Sequence, residues 1–444
     1  MHGIPDRPAA ARALLVEGVH PDAERILTEA GWQTHTVSHA PDEAELVELL
    51  HGVRLLGIRS TTNVSASVLA TADSLESVGA FCIGTNQIDL DAAAGQGAAV
   101  FNAPFSNTRS VVELAIAEII MLMRRLPGTA RNMYHGLWEK SATGAHEVRG
   151  RRLGIVGYGN IGSQLSVVAE ALGMSVMFYD VADRLALGNA RQAASMAELL
   201  AESDVVTLHV DGRPANAELF GAPEFARMRP GSIFLNLSRG FVIDHTALAE
   251  NLEAGHLAGA AVEVFPEEPR ARREQFDSKL RGAPNVMLTP HIGGSTEEAQ
   301  EDIGHFVATK LCAYQQYGDT ALSVNLPELV AERHEGSTRL AHLHRNVPGT
   351  LAAINRVIAE RDINVVGQQL ATRGELGYAV TDVRDIDDAA TLRDLYQVPG
   401  TVRVRRPARA EMDARQVGER ITERLAAGSG TAGRLGAGSR SATA

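Results

Sequence analysis

The chain has 444 residues, of which 45% are hydrophobic, and its formal net charge is −12. This length exceeds one ordinary domain, and the apolar content is sufficient for several hydrophobic cores. The acidic balance argues against a nucleic-acid-binding protein, which normally carries a basic face, but it allows an anionic small-molecule substrate bound by a local arginine cluster.

The two cysteines, Cys82 and Cys312, lie far apart in the sequence. They form neither a disulfide framework nor a metal-binding pattern, so we expect a reducing compartment and no metal site. Residues 1–7 lack the apolar core of a signal peptide, and no run approaches the ~20 apolar residues of a membrane span. The sequence therefore predicts a cytoplasmic protein without a membrane partner.

Residues 11–105 repeat a short apolar strand followed by a helical pattern. The predicted strands are residues 13–16, 55–58, 78–81 and 99–101. Alternating strands and helices predict an α/β domain with a parallel, doubly wound sheet of the flavodoxin-like kind. Ligands bind at the carboxyl ends of such strands, and Arg59 and Ser60 directly follow one of them.

Residues 106–126 predict a long, mostly apolar helix with a polar entry. The segment Ser106–Ser110 offers an N-cap and a hinge near a substrate cleft. So apolar a helix must be buried, and we expect it at a domain or subunit interface.

A glycine-rich turn begins the next part of the chain. An apolar run ends at Gly157, passes Gly159 and Gly162, and continues as a helical pattern. Such a strand, turn and helix N-terminus bind the pyrophosphate of a dinucleotide. Asp180 ends the following apolar run 18 residues beyond Gly162. This is close to the ~20 residues expected of a carboxylate that binds ribose hydroxyls and favours NAD over NADP. An ordinary strand-to-helix turn with a chance Asp is the alternative.

Three later strand ends carry candidate catalytic side chains. Arg239, Glu268 and His291 each follow an apolar run. His291 is the candidate acid–base group, Glu268 the carboxylate that would fix its tautomer and raise its pKa, and Arg239 the clamp for a substrate carboxylate. Taken singly, each could be structural or solvated; at neighbouring ends of one Rossmann-like sheet, they favour a nicotinamide dehydrogenase.

The last part of the chain changes pattern. Residues 328–338 are polar and predict a linker, and residues 339–407 predict strands and helices in the order βαββαβ, which is ferredoxin-like. Residues 408–444 are rich in Ala, Gly, Ser and Arg, and we predict that this tail is disordered apart from one helix near 411–426.

These motifs together resemble the D-isomer-specific 2-hydroxyacid dehydrogenase family. The resemblance rests on the glycine loop and on the segments 236–240, 264–269 and 289–295. Segments 81–86 and 102–110 resemble, more narrowly, the short class of this family that acts on D-3-phosphoglycerate and carries a C-terminal ACT domain. The resemblance covers about residues 12–406.

The resemblance implies a function and a domain plan. It implies NAD-dependent oxidation of D-3-phosphoglycerate to 3-phosphohydroxypyruvate in serine synthesis, feedback inhibition by L-serine, a side activity on 2-oxoglutarate and a homotetramer. The implied domains are a substrate-binding domain of residues 1–105 and 296–327, an inserted NAD-binding Rossmann domain of residues 106–295, and the ACT domain after the linker.

Site residues are implied in the same way. Arg239, Glu268 and His291 fall on the catalytic positions. Cofactor positions are Gly157, Gly159, Asn160, Ile161, Gly162, Asp180, Leu237, Ser238, Glu263, Gly293 and Gly294. Substrate positions are Arg59, Ser60, Asn107, Lys140 and Gln300. Serine-binding positions are His344 and Asn346 of one subunit and Asn364 of its neighbour.

Two positions depart from the family pattern. Glu263 stands where the family usually has Asp near the nicotinamide, and Gly336 and Ser337 stand where related enzymes often carry two glycines. Two rival functions remain at this point: a dehydrogenase for another D-2-hydroxy acid, and a catalytically idle NAD-sensing regulatory protein.

Overall fold

The computed structural model describes residues 11–269, 273–384, 386 and 388–407. The predicted tail of residues 408–444 and its helix lie outside the described residues. The described chain divides into two compact units. The first is formed by residues 11–27, 32–311 and 321–327, and the second by residues 28–31, 312–320 and 328–407.

The first unit begins with a five-stranded parallel sheet in the order β2-β1-β3-β4-β5. Its strands are β1 (Arg12–Leu15), β2 (Gln33–Thr36), β3 (Leu55–Ile58), β4 (Ser77–Ala80) and β5 (Ala99–Asn102). The helices are α1 (Pro21–Glu29), α2 (Glu43–Leu49), α3 (Ala66–Thr71) and α4 (Leu90–Gln96). This is the flavodoxin-like strand order.

Strand β2 was missing from the predicted elements. Its sequence, Gln-Thr-His-Thr, contains no apolar residue, and three of its four residues are exposed. It pairs with β1 alone at the sheet edge. Backbone pairing therefore forms this strand without the hydrophobic pattern that reveals buried strands.

A seven-stranded parallel sheet follows, in the order β12-β11-β10-β9-β6-β7-β8. Its strands are β6 (Arg152–Val156), β7 (Ser175–Tyr179), β8 (Arg191–Gln192), β9 (Val205–Leu208), β10 (Ser232–Asn236), β11 (Leu257–Val262) and β12 (Val286–Leu288). The accompanying helices are α5 (Thr108–Met123), α6 (Leu126–Tyr134), α7 (Asn160–Ala171), α8 (Met196–Glu202), α9 (Ala222–Arg227) and α10 (His245–Glu253). The first six strands have the Rossmann order, read from the β8 edge.

Helix α5 is buried as the sequence predicts, and its buried side packs on this sheet. Val112 and Ile119 belong to the same core cluster as Ile155 and Leu235. Asn107 is its N-cap and makes no side-chain capping bond, so the polar entry does not cap the helix as expected.

Helix α11 (Glu297–Tyr317) carries the chain back to the five-stranded sheet. Val307 and Leu311 approach Gly79 so closely that a Cβ there would clash with both side chains. Beyond the helix, the Asn325 side chain bonds the main chain of β5 by accepting from the Val100 N–H, 2.8 Å away. The chain around the first sheet is thus built from two separate stretches: residues 11–105, and the later stretch that contains α11 and Asn325.

The second unit contains a four-stranded antiparallel sheet in the order β14-β15-β13-β16. Its elements are β13 (Thr338–Arg345), α12 (Thr350–Glu360), β14 (Asn364–Arg373), β15 (Leu376–Arg384), α13 (Asp388–Tyr396) and β16 (Thr401–Arg405). This is the predicted βαββαβ order. Ile354, Ile358 and Leu395 from the two helices form its core with Leu340 and Val383.

A buried ion pair ties the preceding segment to this sheet. Arg339, 1% exposed, bonds both carboxylate oxygens of Asp382 at 2.7 and 2.8 Å. The same guanidinium donates to the carbonyls of Ala331 and Glu332 in the predicted linker. No helix among the described residues is long and apolar enough to cross a membrane.

Candidate active site

Three neighbouring strands of the seven-stranded sheet place the candidate catalytic residues at one edge. Arg239 follows β10, Glu268 follows β11 and His291 follows β12. His291 Nδ1 lies 2.8 Å from Glu268 Oε2. The other carboxylate oxygen of Glu268 accepts the Phe265 N–H at 3.0 Å. The carboxylate is therefore oriented by its own loop and in turn orients the imidazole.

This pair has shifted pKa values of opposite direction. The hydrogen bond to Glu268 raises the pKa of His291 above its ordinary value, despite partial burial. Burial would raise the pKa of Glu268, but the bond and charge of His291 outweigh it and lower that pKa. With Nδ1–H donated to Glu268, the neutral imidazole presents Nε2 as a proton acceptor.

The main chain at His291 is unusual. Its φ is +52°, in the left-handed region that non-glycine residues seldom occupy. Its N–H donates to the carbonyls of Glu263 and Thr289, each at 3.0 Å. A strained main-chain conformation persists only where surrounding contacts hold it. Here these two hydrogen bonds hold it at a candidate catalytic residue.

Arg239 lies between the two parallel sheets. A Cβ built on Gly84, in the loop after β4, would be 2.7 Å from Nη2 of Arg239, and one on Gly212, after β9, would be 3.4 Å from Nε. Nη1 donates to the Ser238 carbonyl at 2.7 Å, and the Asn236 side chain bonds the Arg239 carbonyl at 3.0 Å. The guanidinium is thus held at the cleft between the sheets.

The glycine loop has the geometry that a dinucleotide requires. Gly157 has φ +91°, and a Cβ on Gly162 would lie 2.2 Å from the Gly157 carbonyl oxygen. In contrast, a Cβ on Gly159 would meet nothing within 4 Å, so open space faces the loop. Asp180 Oδ2 accepts the Tyr158 N–H at 2.8 Å, which places its carboxylate beside the loop. These residues fit NAD, with Asn160 and Ile161 beginning α7 at the phosphate end.

The remaining cofactor candidates border the catalytic edge. Glu263, 2% exposed, accepts the Gly293 N–H at 2.5 Å, and burial raises the pKa of its carboxyl. Leu237 and Ser238 are buried after β10. Glu263, which stands where the family usually has Asp, is therefore hydrogen-bonded to the loop that follows His291.

The substrate candidates divide into groups. Asn107 and Gln300 border Gly294: Gln300 Nε2 donates to its carbonyl at 2.7 Å, and a Cβ there would be 2.5 Å from Asn107 Nδ2. Arg59 and Ser60 lie in the loop after β3. Lys140 is exposed beyond α6, and within the described part of the chain no hydrogen bond or ion pair joins it to these residues.

The structure adds three residues that the sequence analysis did not single out. The Glu17 carboxylate bonds the main chain of the Arg59 loop, and Gln87 bonds the Arg59 carbonyl. Glu118 is fully buried on α5. Glu17 follows β1, so the same strand-end rule that selected Arg59 would have found it; Glu118 is surrounded by apolar sequence and gave no such signal.

The candidate effector residues lie in the second unit. His344 is at the end of β13, 2% exposed, with Nδ1 2.8 Å from the Arg345 carbonyl oxygen. Asn346 follows it, while Asn364 begins β14. In the register of β15, His344 pairs with Gly377 and Asn364 with Arg384, at opposite ends of that strand. Within a single chain, Asn364 therefore lies at the opposite end of the sheet from His344 and Asn346.

Comparison with known proteins places the chain in a family. A family model described as the NAD binding domain of D-isomer specific 2-hydroxyacid dehydrogenases matches residues 116–293. The D-3-phosphoglycerate dehydrogenase of Haemophilus influenzae is 49% identical over 393 residues, covering 88% of this chain and 96% of the relative. The enzyme of that name from Escherichia coli K12 is 48% identical over 396 residues, with the same coverage. The chain belongs to the D-3-phosphoglycerate dehydrogenase family.

This membership confirms the expected enzyme class and cofactor. The protein is an NAD-dependent oxidoreductase, and a model of the AHAS small subunit-like ACT domain matches residues 340–403 of it. The fold also resembles the crystal structure of the TT0316 protein from Thermus thermophilus, with a TM-score of 0.62 and 29% identity over 68% of this chain and 96% of that one. The expected Rossmann-type fold with a C-terminal ACT domain is confirmed.

Proposed function

We propose that the protein oxidises D-3-phosphoglycerate to 3-phosphohydroxypyruvate with NAD, the first step of L-serine synthesis. The observation that carries this proposal is the 2.8 Å bond between His291 Nδ1 and Glu268, at the strand end beside Arg239. Relatives that share 48–49% of their residues with the chain bear the name of this activity.

Each residue has a defined task in the proposed reaction. His291 Nε2 accepts the proton of the substrate hydroxyl, and Glu268 stabilises the imidazolium that forms. Arg239 binds the substrate carboxylate through its planar guanidinium. Arg59, Ser60 and neighbouring donors hold the phosphate. Bound NAD supplies the acceptor for the hydride that leaves the substrate carbon.

Purified protein tests this proposal directly. With NAD and D-3-phosphoglycerate, we expect NADH formation that depends on both compounds. NADH formed with another D-2-hydroxy acid but not with D-3-phosphoglycerate would favour the first rival function. Absence of turnover with any hydroxy acid, despite NAD binding, would favour a regulatory protein; the bonded His291 and Glu268 argue against that outcome. Reduction of 2-oxoglutarate with NADH tests the proposed side activity.

We further propose an effector and an assembly. The ACT match and the separation of Asn364 from His344 and Asn346 support L-serine binding between ACT domains of two subunits. We propose that the protein forms a homotetramer, which sedimentation velocity would test, and that it is located in the cytoplasm. We also propose the division into domains that the sequence predicts. The return of α11 to the first sheet supports the discontinuous substrate domain.

A further inference from the structure

Three main-chain N–H groups of the loop after β3 point to one carboxylate. Glu17 Oε1 accepts the N–H groups of Arg59 at 3.1 Å and Thr62 at 2.6 Å, and Glu17 Oε2 accepts that of Thr61 at 3.0 Å. Glu17 follows β1, which pairs directly with β3. A single side chain that follows the neighbouring strand therefore fixes the course of this loop.

A second side chain holds the same residue from its other peptide group. Gln87 Nε2 donates to the Arg59 carbonyl at 2.7 Å and to the Gly84 carbonyl at 3.2 Å. Gln87 is 9% exposed. Both peptide groups of Arg59 are thus bonded to side chains from separate loops, which leaves the main chain there little freedom.

The pattern of bonds leaves one donor of the loop available. The Ser60 N–H has no hydrogen-bond partner among the residues that the structure describes, although the N–H groups on either side of it are bonded to Glu17. Ser60 is exposed. A free N–H next to an arginine is a suitable donor pair for a phosphate or carboxylate group.

The charge of Glu17 requires an explanation in an enzyme for an anionic substrate. A carboxylate close to a bound phosphate would weaken binding by repulsion. Here three N–H dipoles face that carboxylate, and Glu17 itself has φ +63°, a costly conformation for a non-glycine residue. A strained acid whose two oxygens accept three N–H groups of the loop sets the course of the loop rather than contacting the substrate.

We propose that Glu17 and Gln87 are positioning residues for the substrate phosphate, acting through the Arg59–Ser60 peptide. They preorganise the Arg59 side chain and the Ser60 N–H as one anion-binding unit, so that substrate binding does not have to order the loop. This inference rests on the proposed function for the identity of the anion.

The test uses two variants of the full-length protein. Glu17→Gln keeps the size of the side chain but removes the charge and one acceptor oxygen, and Gln87→Met removes the donor to Arg59. In each we expect KM for D-3-phosphoglycerate to rise about tenfold or more, with kcat and KM for NAD within about twofold of wild type, because loop ordering then opposes binding. Glu76→Gln, which removes a carboxylate bonded to Arg54 at the opposite ends of β3 and β4, is the matched control and should leave all three constants unchanged.

Two further readouts separate positioning from general damage. D-glycerate lacks the phosphate, so its kcat/KM should change little, and the preference for D-3-phosphoglycerate over D-glycerate should fall about tenfold. In an Arg59→Ala background, Glu17→Gln should add much less than its effect in wild type, because both act on the same contact. An unchanged KM for D-3-phosphoglycerate in folded Glu17→Gln and Gln87→Met, or an equal loss for both substrates, overturns the proposal.

A different result would contradict the proposed function. If wild-type protein does not oxidise D-3-phosphoglycerate but oxidises another D-2-hydroxy acid, the function is wrong, and Glu17→Gln is then assayed with that substrate. A selective rise in its KM would retain the positioning role for another anionic group. If Glu17→Gln does not fold, Gln87→Met decides the matter, since it removes one hydrogen-bond donor and leaves the carboxylate in place.

Discussion

His291 shows how a single residue is prepared for proton transfer. Its Nδ1 is bonded to Glu268, and its N–H bonds the carbonyls of Glu263 and Thr289 in a left-handed conformation. Main-chain and side-chain bonds together leave the ring little freedom, and Nε2 is its remaining proton acceptor. Geometry of this kind is what general acid–base catalysis requires.

Replacement of His291 tests its proposed role. His291→Asn should lower kcat for D-3-phosphoglycerate oxidation by about 10²–10⁴-fold, the usual contribution of a positioned acid–base group. KM for NAD should stay near the wild-type value, since the glycine loop is distant in sequence and intact. A variant with full kcat would exclude His291 as the proton acceptor.

The Glu268 partner leads to a prediction about pH. The bond between them raises the pKa of His291, so oxidation, which needs the neutral imidazole, should weaken as pH falls through that raised pKa. Glu268→Gln removes the raising effect, and the acidic limb of the profile of kcat/KM against pH should therefore move to lower pH. A limb that stays in place or moves upward would contradict the assignment of the pair.

Glu118 is an acid buried on α5. Its side chain is 0% exposed, and neither carboxylate oxygen has a hydrogen-bond partner among the described residues. Burial, with a smaller contribution from the Glu263 charge, raises the pKa of Glu118 to about 8. At neutral pH it is therefore protonated in the folded protein and ionised in the unfolded chain.

This difference in proton binding makes stability depend on pH. Between pH about 5 and 8 the folded state binds a proton that the unfolded state has lost, so this group makes the protein less stable as pH rises. Glu118→Gln removes that dependence. Its free energy of unfolding relative to wild type should increase by up to ~1.4 kcal/mol per pH unit over this range, measured by urea unfolding. A constant difference across the range would contradict the buried, protonated state.

At the scale of elements, the glycine loop between β6 and α7 separates two roles of glycine. Gly162 packs against the Gly157 carbonyl, so its lack of a side chain serves helix-to-strand packing. Gly159 faces open space, so its lack of a side chain serves a ligand instead. The spacing of the glycines already predicts a separate role for each position, and these packing distances agree with it.

The two glycines therefore make a matched pair of variants. Gly162→Ala should lower the free energy of unfolding by roughly 1–3 kcal/mol, because its Cβ would overlap main-chain atoms. Gly159→Ala should keep the wild-type stability but raise KM for NAD about tenfold or more, because the methyl group occupies space next to the pyrophosphate. Thermal unfolding and NAD titration distinguish the two outcomes; an unchanged KM for NAD in Gly159→Ala would show that the open space is not a ligand site.

At the scale of the whole molecule, the ACT domain bears the proposed regulation. Its sheet leaves β14 as an edge strand, with Val365 and Leu370 40% and 42% exposed. The segment before the sheet is bonded to Arg339, although its Gly336-Ser337 departs from the family's two glycines. Hydrogen bonds from Arg339, which also forms the buried ion pair with Asp382, therefore tie the linker to the sheet.

L-serine titration tests this regulation. We expect L-serine to inhibit NADH formation by the wild type, and Asn346→Ala or Asn364→Ala to blunt that inhibition with little change in the uninhibited rate. Arg356→Ala, at an exposed position in the middle of α12, serves as a control for changes in the ACT domain. A wild type insensitive to L-serine would exclude serine as the effector.

The sequence by itself determined the cofactor loop, the three catalytic candidates and the βαββαβ order, because each depends on a local pattern: apolar periodicity, glycine spacing, or a polar residue after a strand. Tertiary structure decided what depends on contacts between distant segments. Polar β2 becomes a strand through pairing with β1, Arg239 reaches the loop after β4, and Glu17 bonds the loop after β3. None of these contacts leaves a periodic signal, since the partners are joined by the folding of the two sheets and not by their spacing in the chain.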